Sequence, residues 1–178
     1  MSSWRPGDRR ADRESMLRVD QAGEYGATRI YAGQLAVLRR NCPEAKLIAR
    51  MAAQEERHLK RFNQMIAARR VRPTALQPLW NVAGFALGAA TALMSEKAAL
   101  ACTDAVETEI DRHYQQQLDE LGDDDPELTS DIAEFHAEEL EHRDTARAAG
   151  ATEAIGYPIL TTAIRASCRM AIELSKRI

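Results

Sequence analysis

Two tetrapeptides, EERH (55–58) and ELEH (139–142), repeat one arrangement, Glu-x-x-His, in distant parts of the chain. A helix turns about 100° per residue, so positions i and i+3 share a face, and one carboxylate and one imidazole can reach the same point. A single such tetrapeptide is weak, because its ordinary reading is a surface pair. Register changes that. Glu55 and His58 lie in line with Ile48, Met51, Phe62 and Met65, while Glu139 and His142 continue the line of Leu128, Ile132 and Phe135. These polar groups project where apolar residues belong. Buried without partners they would cost several kcal/mol, so they require partners or a metal that keeps the carboxylates ionised.

Two more glutamates interrupt apolar lines further out. Glu24 stands among Leu17, Ala27, Tyr31 and Leu35, and Glu107 among Leu100, Ile110, Tyr114 and Leu118. Taken singly, each reads as structural. Spacing joins them, with 31 residues from Glu24 to Glu55 and 32 from Glu107 to Glu139. The chain thus holds two helical hairpins with the same order, a lone Glu and then Glu-x-x-His. Four carboxylates and two imidazoles on four helices form the ligand set of di-iron and di-manganese bundles. So many carboxylates favour Fe or Mn over Zn. Asp20, Asp104, Asp111 and Asp144 lie within about a turn of these residues. Helix-surface charge is the preferred reading for each, and holding an imidazole N–H is the alternative. His136 reads as an ordinary surface histidine. Tyr114 points nearly the same way as Glu107, and either approaches the site or packs in the core.

The rest of the chain agrees with an all-α fold: a four-helix bundle with an extra apolar helical segment between its second and third helices and a further C-terminal helix. Helical periodicity predicts helices over about 16–40, 44–70, 95–121, 127–149 and 158–176, punctuated by Pro43, Pro73, Pro78, Gly122, Pro126 and Gly150. No segment alternates with period two. The expected organisation is a loose polar tail at 1–15 and one domain over 16–178. Residues 79–94, LWNVAGFALGAATALM, carry no charge. They fall short of the ~20 residues a membrane span needs, but Trp80 and the preceding Arg69, Arg70 and Arg72 suit a membrane interface. A buried helix is the competing reading. Gly84 and Gly88 in this run allow close helix approach.

Net charge is −3, so non-specific nucleic-acid binding is not indicated. The charge is uneven: residues 1–78 carry 16 Lys+Arg against 8 Asp+Glu, and residues 79–178 carry 8 against 19. The basic half either faces anionic lipid or is a solvated surface. Three dispersed cysteines, Cys42, Cys102 and Cys168, argue against a disulfide framework and for a reducing compartment. The first 15 residues lack an apolar signal core.

The runs LRVDQAGEYGATRIYAGQ (17–34), VRPTALQPLWNVAGFALGAATAL (71–93) and EELEHRD (138–144) closely resemble demethoxyubiquinone hydroxylases of ubiquinone biosynthesis. The resemblance covers about 16–178 and implies a ferritin-like bundle with two Fe ions held by Glu24, Glu55, His58, Glu107, Glu139 and His142. It implies a monooxygenase that uses O₂ to hydroxylate the ring of a polyprenyl demethoxy-benzoquinol, with His113 and Tyr114 near the quinone. Position 108 is Thr here, where some members carry a second Glu that is not a ligand. The resemblance also implies peripheral attachment, through 79–94, to the cytoplasmic face of a bacterial inner membrane, or alternatively to the matrix face of the mitochondrial one. Electrons come from the quinol itself or from NADH, although no GxGxxG follows a strand. A lipid-binding accessory protein and a homo-oligomer are compatible partners. The competing readings are a ferroxidase or iron-storage protein, a non-enzymatic membrane adaptor, and, more distantly, a rubrerythrin-like peroxidase.

Overall fold

The computed structural model describes residues 12–178. Six helices follow one another: α1 (Arg13–Val37), α2 (Pro43–Arg69), α3 (Gln77–Met94), α4 (Glu96–Leu121), α5 (Pro126–Ala148) and α6 (Tyr157–Arg177). A 3₁₀ turn at Ala151–Glu153 precedes α6, and no strand occurs among the described residues. The first helix starts and ends about three residues earlier than its periodicity predicts; at its start Asp12 caps it by accepting from the Ser15 amide, and at its end Leu38 is extended. The expected loose tail lies outside the described residues up to position 11, and residues 13–15 belong to α1.

Caps and prolines set the other starts. Ser95 accepts from Ala98 N at the start of α4. Asp125 accepts from Leu128 N at the start of α5. Pro43 and Pro126 stand in the first turns of α2 and α5, where no backbone donor is needed.

The chain forms an all-α, ferritin-like bundle. Hairpins α1–α2 and α4–α5 are its two halves. Their antiparallel pairing can be read from contacts whose numbers run in opposite directions: Gln117 with Asp20, Tyr114 with Glu24, Tyr31 with Glu107, and Gln34 with the Ala99 carbonyl. Helices α2 and α5 are joined instead by long side chains. Arg57 reaches Glu134 and Glu138, Arg61 reaches Asp131 and Glu127, and Arg69 reaches Asp125 and Glu127.

Helix α3 carries the chain from one hairpin to the other and lies against α1 at backbone distance. A Cβ on Gly88 would stand 2.8 Å from the carbonyl carbon of Ile30, and one on Gly84 would stand 3.0 Å from the Gly26 carbonyl oxygen. Only Gly84, Gly88, Thr91 and Ala92 of α3 are buried. Val82 and Leu93 are 67% and 75% exposed, and Leu79 and Met94 are also exposed. The expectation that 79–94 is either buried or interfacial therefore divides by face: small residues pack inward and large apolar ones face out. Among the described residues, no helix is long and apolar enough to cross a membrane.

Two apolar clusters fill the bundle. One contains Tyr31, Ile48, Met51 and Leu100, and the other contains Leu17, Phe62, Tyr114, Leu128, Ile132 and Phe135. On every bundle helix the predicted ligands fall between a member of one cluster and a member of the other. The polar layer is thus enclosed above and below by packed side chains.

Candidate metal centre

Glu24, Glu55, His58, Glu107, Glu139 and His142 are all buried, none more than 4% exposed. Their ligand atoms form two groups, Glu24–Glu55–His58–Glu139 and Glu55–Glu107–Glu139–His142, each with its atoms within 4.8 Å of one another. The groups share Glu55 and Glu139, so these two carboxylates can serve two ions at once. Each imidazole turns Nδ1 inward. Nδ1 of His58 lies 3.0 Å from Glu139 and 3.4 Å from Glu24, and Nδ1 of His142 lies 3.1 Å from Glu55 and 3.0 Å from Glu139.

The electrostatics of this layer call for cations. Burial, and then the charges of Glu139, Glu24 and Glu107, push the Glu55 carboxyl well above its ordinary range. Burial and Glu139 do the same to Glu107. Burial also works against the Glu139 carboxylate, but the hydrogen-bonded His142 and the adjacent His58 imidazole outweigh it and hold that group at about 2. Burial disfavours the His58 cation, yet Glu139 and Glu24 raise it to about 10. Oε2 of Glu24, Oε1 of Glu55 and Nδ1 of His58 are buried with no hydrogen-bond partner. Buried orphans of this kind are costly unless a metal uses them. All-oxygen-and-imidazole donors suit iron or manganese, and the residues present fit a pair of such ions.

The groups that hold these candidate ligands come from the opposite hairpin. Tyr31 donates to Glu107 at 3.0 Å, and Tyr114 donates to Glu24. Nε2 of His58 meets Glu138 Oε2 at 2.7 Å, and Nε2 of His142 meets Gln54 Oε1 at 3.0 Å. The pattern is nearly two-fold. Each tyrosine follows its own hairpin's lone Glu by seven residues, and Gln54 and Glu138 each precede the Glu of a Glu-x-x-His. Tyr31, Gln54 and Glu138 went unrecognised in the sequence, where Tyr31 reads as core. The matching offsets in the two hairpins were the available signal.

Several expectations are corrected. None of Asp20, Asp104, Asp111 and Asp144 holds a ligand imidazole, and two are not surface charges. Asp20 is buried and accepts from Gln117, with His113 Nε2 at 3.2 Å. Asp104 is buried and accepts from Arg147 and Tyr157. His136 is not a free surface residue: it bonds Asp111 at 2.7 Å and stands edge-on to Tyr114. His113 lies one layer away from the ligands, against Asp20, whereas Tyr114 touches Glu24 directly.

Beside the polar layer, on the flank of α1 and α4, lies an apolar cavity of about 160 Å³. Gly23 and Val106, the sequence neighbours of Glu24 and Glu107, line it together with Ala27, Ile110, Leu87 and Cys168. Helices α3 and α6 roof it, meeting where Trp80 Nε1 donates to Ser175 at 3.1 Å.

Comparison with known proteins adds the family. A Rhodospirillum rubrum protein named 3-demethoxyubiquinol 3-hydroxylase is 55% identical over 165 residues, 93% of this chain and 78% of the relative. A Homo sapiens protein named NADPH-dependent 3-demethoxyubiquinone 3-hydroxylase, mitochondrial, is 50% identical over 173 residues, 95% and 79% of the two chains. A Saccharomyces cerevisiae protein named 5-demethoxyubiquinone hydroxylase, mitochondrial, is 42% identical over 181 residues, 93% and 78% of the two. The family described as ubiquinone biosynthesis protein COQ7 matches residues 11–175, and the chain belongs to it.

Proposed function

We propose that this chain is a di-iron monooxygenase that hydroxylates the ring of a polyprenyl demethoxy-benzoquinol in ubiquinone biosynthesis, using O₂. The observation that carries the reading is the pair of buried ligand groups sharing Glu55 and Glu139, set beside an apolar cavity. Glu24, Glu55, His58, Glu107, Glu139 and His142 would hold the two irons, which supply the O₂-activating redox chemistry when bound. One oxygen atom enters the ring and the other leaves as water, with two electrons and two protons supplied. The names of mammalian relatives make a nicotinamide nucleotide the reductant to test.

The residues of the chain do the remaining work. Tyr31 and Tyr114 fix the orientation of Glu107 and Glu24 by hydrogen bonds. The two apolar clusters keep water from the layer between them. A cavity of about 160 Å³ matches one substituted aromatic ring, since engineered apolar cavities near 150 Å³ stay dry and take up benzene. The large exposed side chains of α3 give the prenyl tail a route from lipid and dock the protein on a membrane surface. That surface is the bacterial inner membrane or its mitochondrial counterpart.

The test is anaerobic Fe(II) loading followed by O₂ and the demethoxy-quinol. Two irons per chain and a product one oxygen atom heavier support the proposal; two irons bound with no hydroxylated product would reject it. Flotation with liposomes tests the membrane part, and Val82→Glu combined with Leu93→Glu should abolish it.

A further inference from the structure

The contacts that orient the ligands follow a two-fold pattern that breaks at one place. The lone glutamates match, the tyrosines match, and both imidazoles point Nδ1 at the carboxylates. The outward nitrogens differ. His142 Nε2 meets the neutral amide oxygen of Gln54, whereas His58 Nε2 meets the carboxylate of Glu138. Nothing about the hairpin geometry requires this, since Gln54 and Glu138 occupy equivalent positions one residue before Glu55 and Glu139.

Glu138 is also anchored. Arg57 Nη2 bonds the same Oε2 that faces His58, and Arg57 Nη1 bonds Glu134 at 3.1 Å. On its other side the His58 ring stacks on Phe135, with centroids 4.1 Å apart. The imidazole is therefore fixed in tilt and reach, and its Nε2–H points at a negative charge. A carboxylate accepting from the distal N–H of a ligand imidazole raises the basicity of the nitrogen that meets the metal. Such partners are typically worth about 10- to 100-fold in metal affinity. An amide oxygen orients the ring but brings no charge.

We propose that Glu138 is a positioning residue that makes the two metal positions unequal. The position built on Glu24 and His58 takes up its ion first, and the one built on Glu107 and His142 fills second. Just beyond the ligands the two positions differ in kind, a carboxylate acceptor paired with Arg57 against a neutral amide oxygen, so the pair is electronically asymmetric before any substrate arrives. This inference rests on the two-ion reading above.

The experiment is an anaerobic titration of metal-free protein with Co(II), followed by its visible absorption, alongside crystals soaked with one equivalent. The wild-type chain should bind two ions in two resolved steps, with the first cobalt located by anomalous scattering next to His58. Glu138→Gln keeps an acceptor for Nε2 and removes the charge. It should weaken the first step about 10-fold and leave the second within about two-fold, merging the steps. Gln54→Glu adds the missing charge and should tighten the second step. The double exchange Gln54→Glu with Glu138→Gln should restore two steps with the order of filling reversed, so that one equivalent appears beside His142.

Equal weakening of both steps in Glu138→Gln would overturn the proposal, as would unchanged steps in both single variants. Gln54→Glu keeps the test decisive should Glu138→Gln fail to fold, which melting of the metal-free variants would reveal. Wild-type protein that binds fewer than two Co(II) ions would instead refute the two-ion reading itself.

Discussion

Replacing Gly88 by alanine should lower the melting temperature by about 4–8 °C. A Cβ at this position would lie 2.8 Å from the carbonyl carbon and 3.0 Å from the Cα of Ile30, and inside the contact distance of its oxygen. Ordinary contact begins at 3.4 Å, so the α1–α3 crossing must open by at least about 0.6 Å against the carbon alone. The opposing atoms are backbone inside a helix and cannot swing aside. Overpacking of this kind costs about 1–3 kcal/mol, and the upper end applies here. Alanine recovers about 1 kcal/mol of helix propensity. The net loss is about 2 kcal/mol, and for a chain of this size each kcal/mol moves the midpoint by roughly 2–4 °C. Gly26→Ala is the control: its Cβ would meet nothing within 4 Å. It should raise the midpoint by about 2–4 °C. Thermal melts by circular dichroism measure both. If Gly88→Ala melts at or above the wild-type temperature, the backbone-contact account of the crossing is wrong.

Further tests bear on the site. Glu55→Ala or His142→Ala should lose bound iron and hydroxylation together, and full activity in either would remove that residue from the ligand set. Tyr31→Phe and Tyr114→Phe should keep iron but slow turnover, with each leaving a buried carboxylate short of a donor worth about 1–3 kcal/mol. Unchanged rates would reduce both tyrosines to packing. Metal-free protein should be most stable near pH 5. Burial raises Asp20, Glu55 and Glu107, so their contributions are complete below the ordinary carboxyl range and fade as pH climbs through the raised values; Glu139, held at about 2, contributes above that range and is lost toward strong acid. Melting in chelator across pH 4–8 checks this, and a midpoint that rises from pH 5 to 8 would contradict it. Ala27→Phe should fill the cavity and raise KM for the quinol while iron content stays at two, as steady-state kinetics with iron analysis would show.

The bundle and its polar layer were legible because both rest on local periodicity. Glu55 and His58 interrupt an apolar stripe at helical spacing, and any residue doing so must be buried beside something that satisfies it. The repeat of that interruption in a second hairpin then carried the pairing. What holds the ligands was not legible, because Gln54 and Glu138 act across the bundle on the other hairpin's histidine. Such a contact depends on the facing of α2 against α5, which no single helix encodes. Asp20 and Asp104 were misread for the same reason. Each looks like a helix-surface charge until Gln117, or Arg147 and Tyr157, arrive from another helix. The inward face of α3 was legible through Gly84 and Gly88. Its outward face was ambiguous, since exposure depends on what α3 leaves uncovered.

The band of buried acids halfway along the rods has a cellular consequence. Ions bound there, as proposed, would hold the folded chain together, since at a hundred times its dissociation constant a ligand adds about 2.7 kcal/mol to the stability of the folded state. Starved of iron, the same chain would then open more often and be exposed to proteases each time it did. Scarcity of the nutrient would thus be read out as fewer copies of the enzyme, without any dedicated sensor.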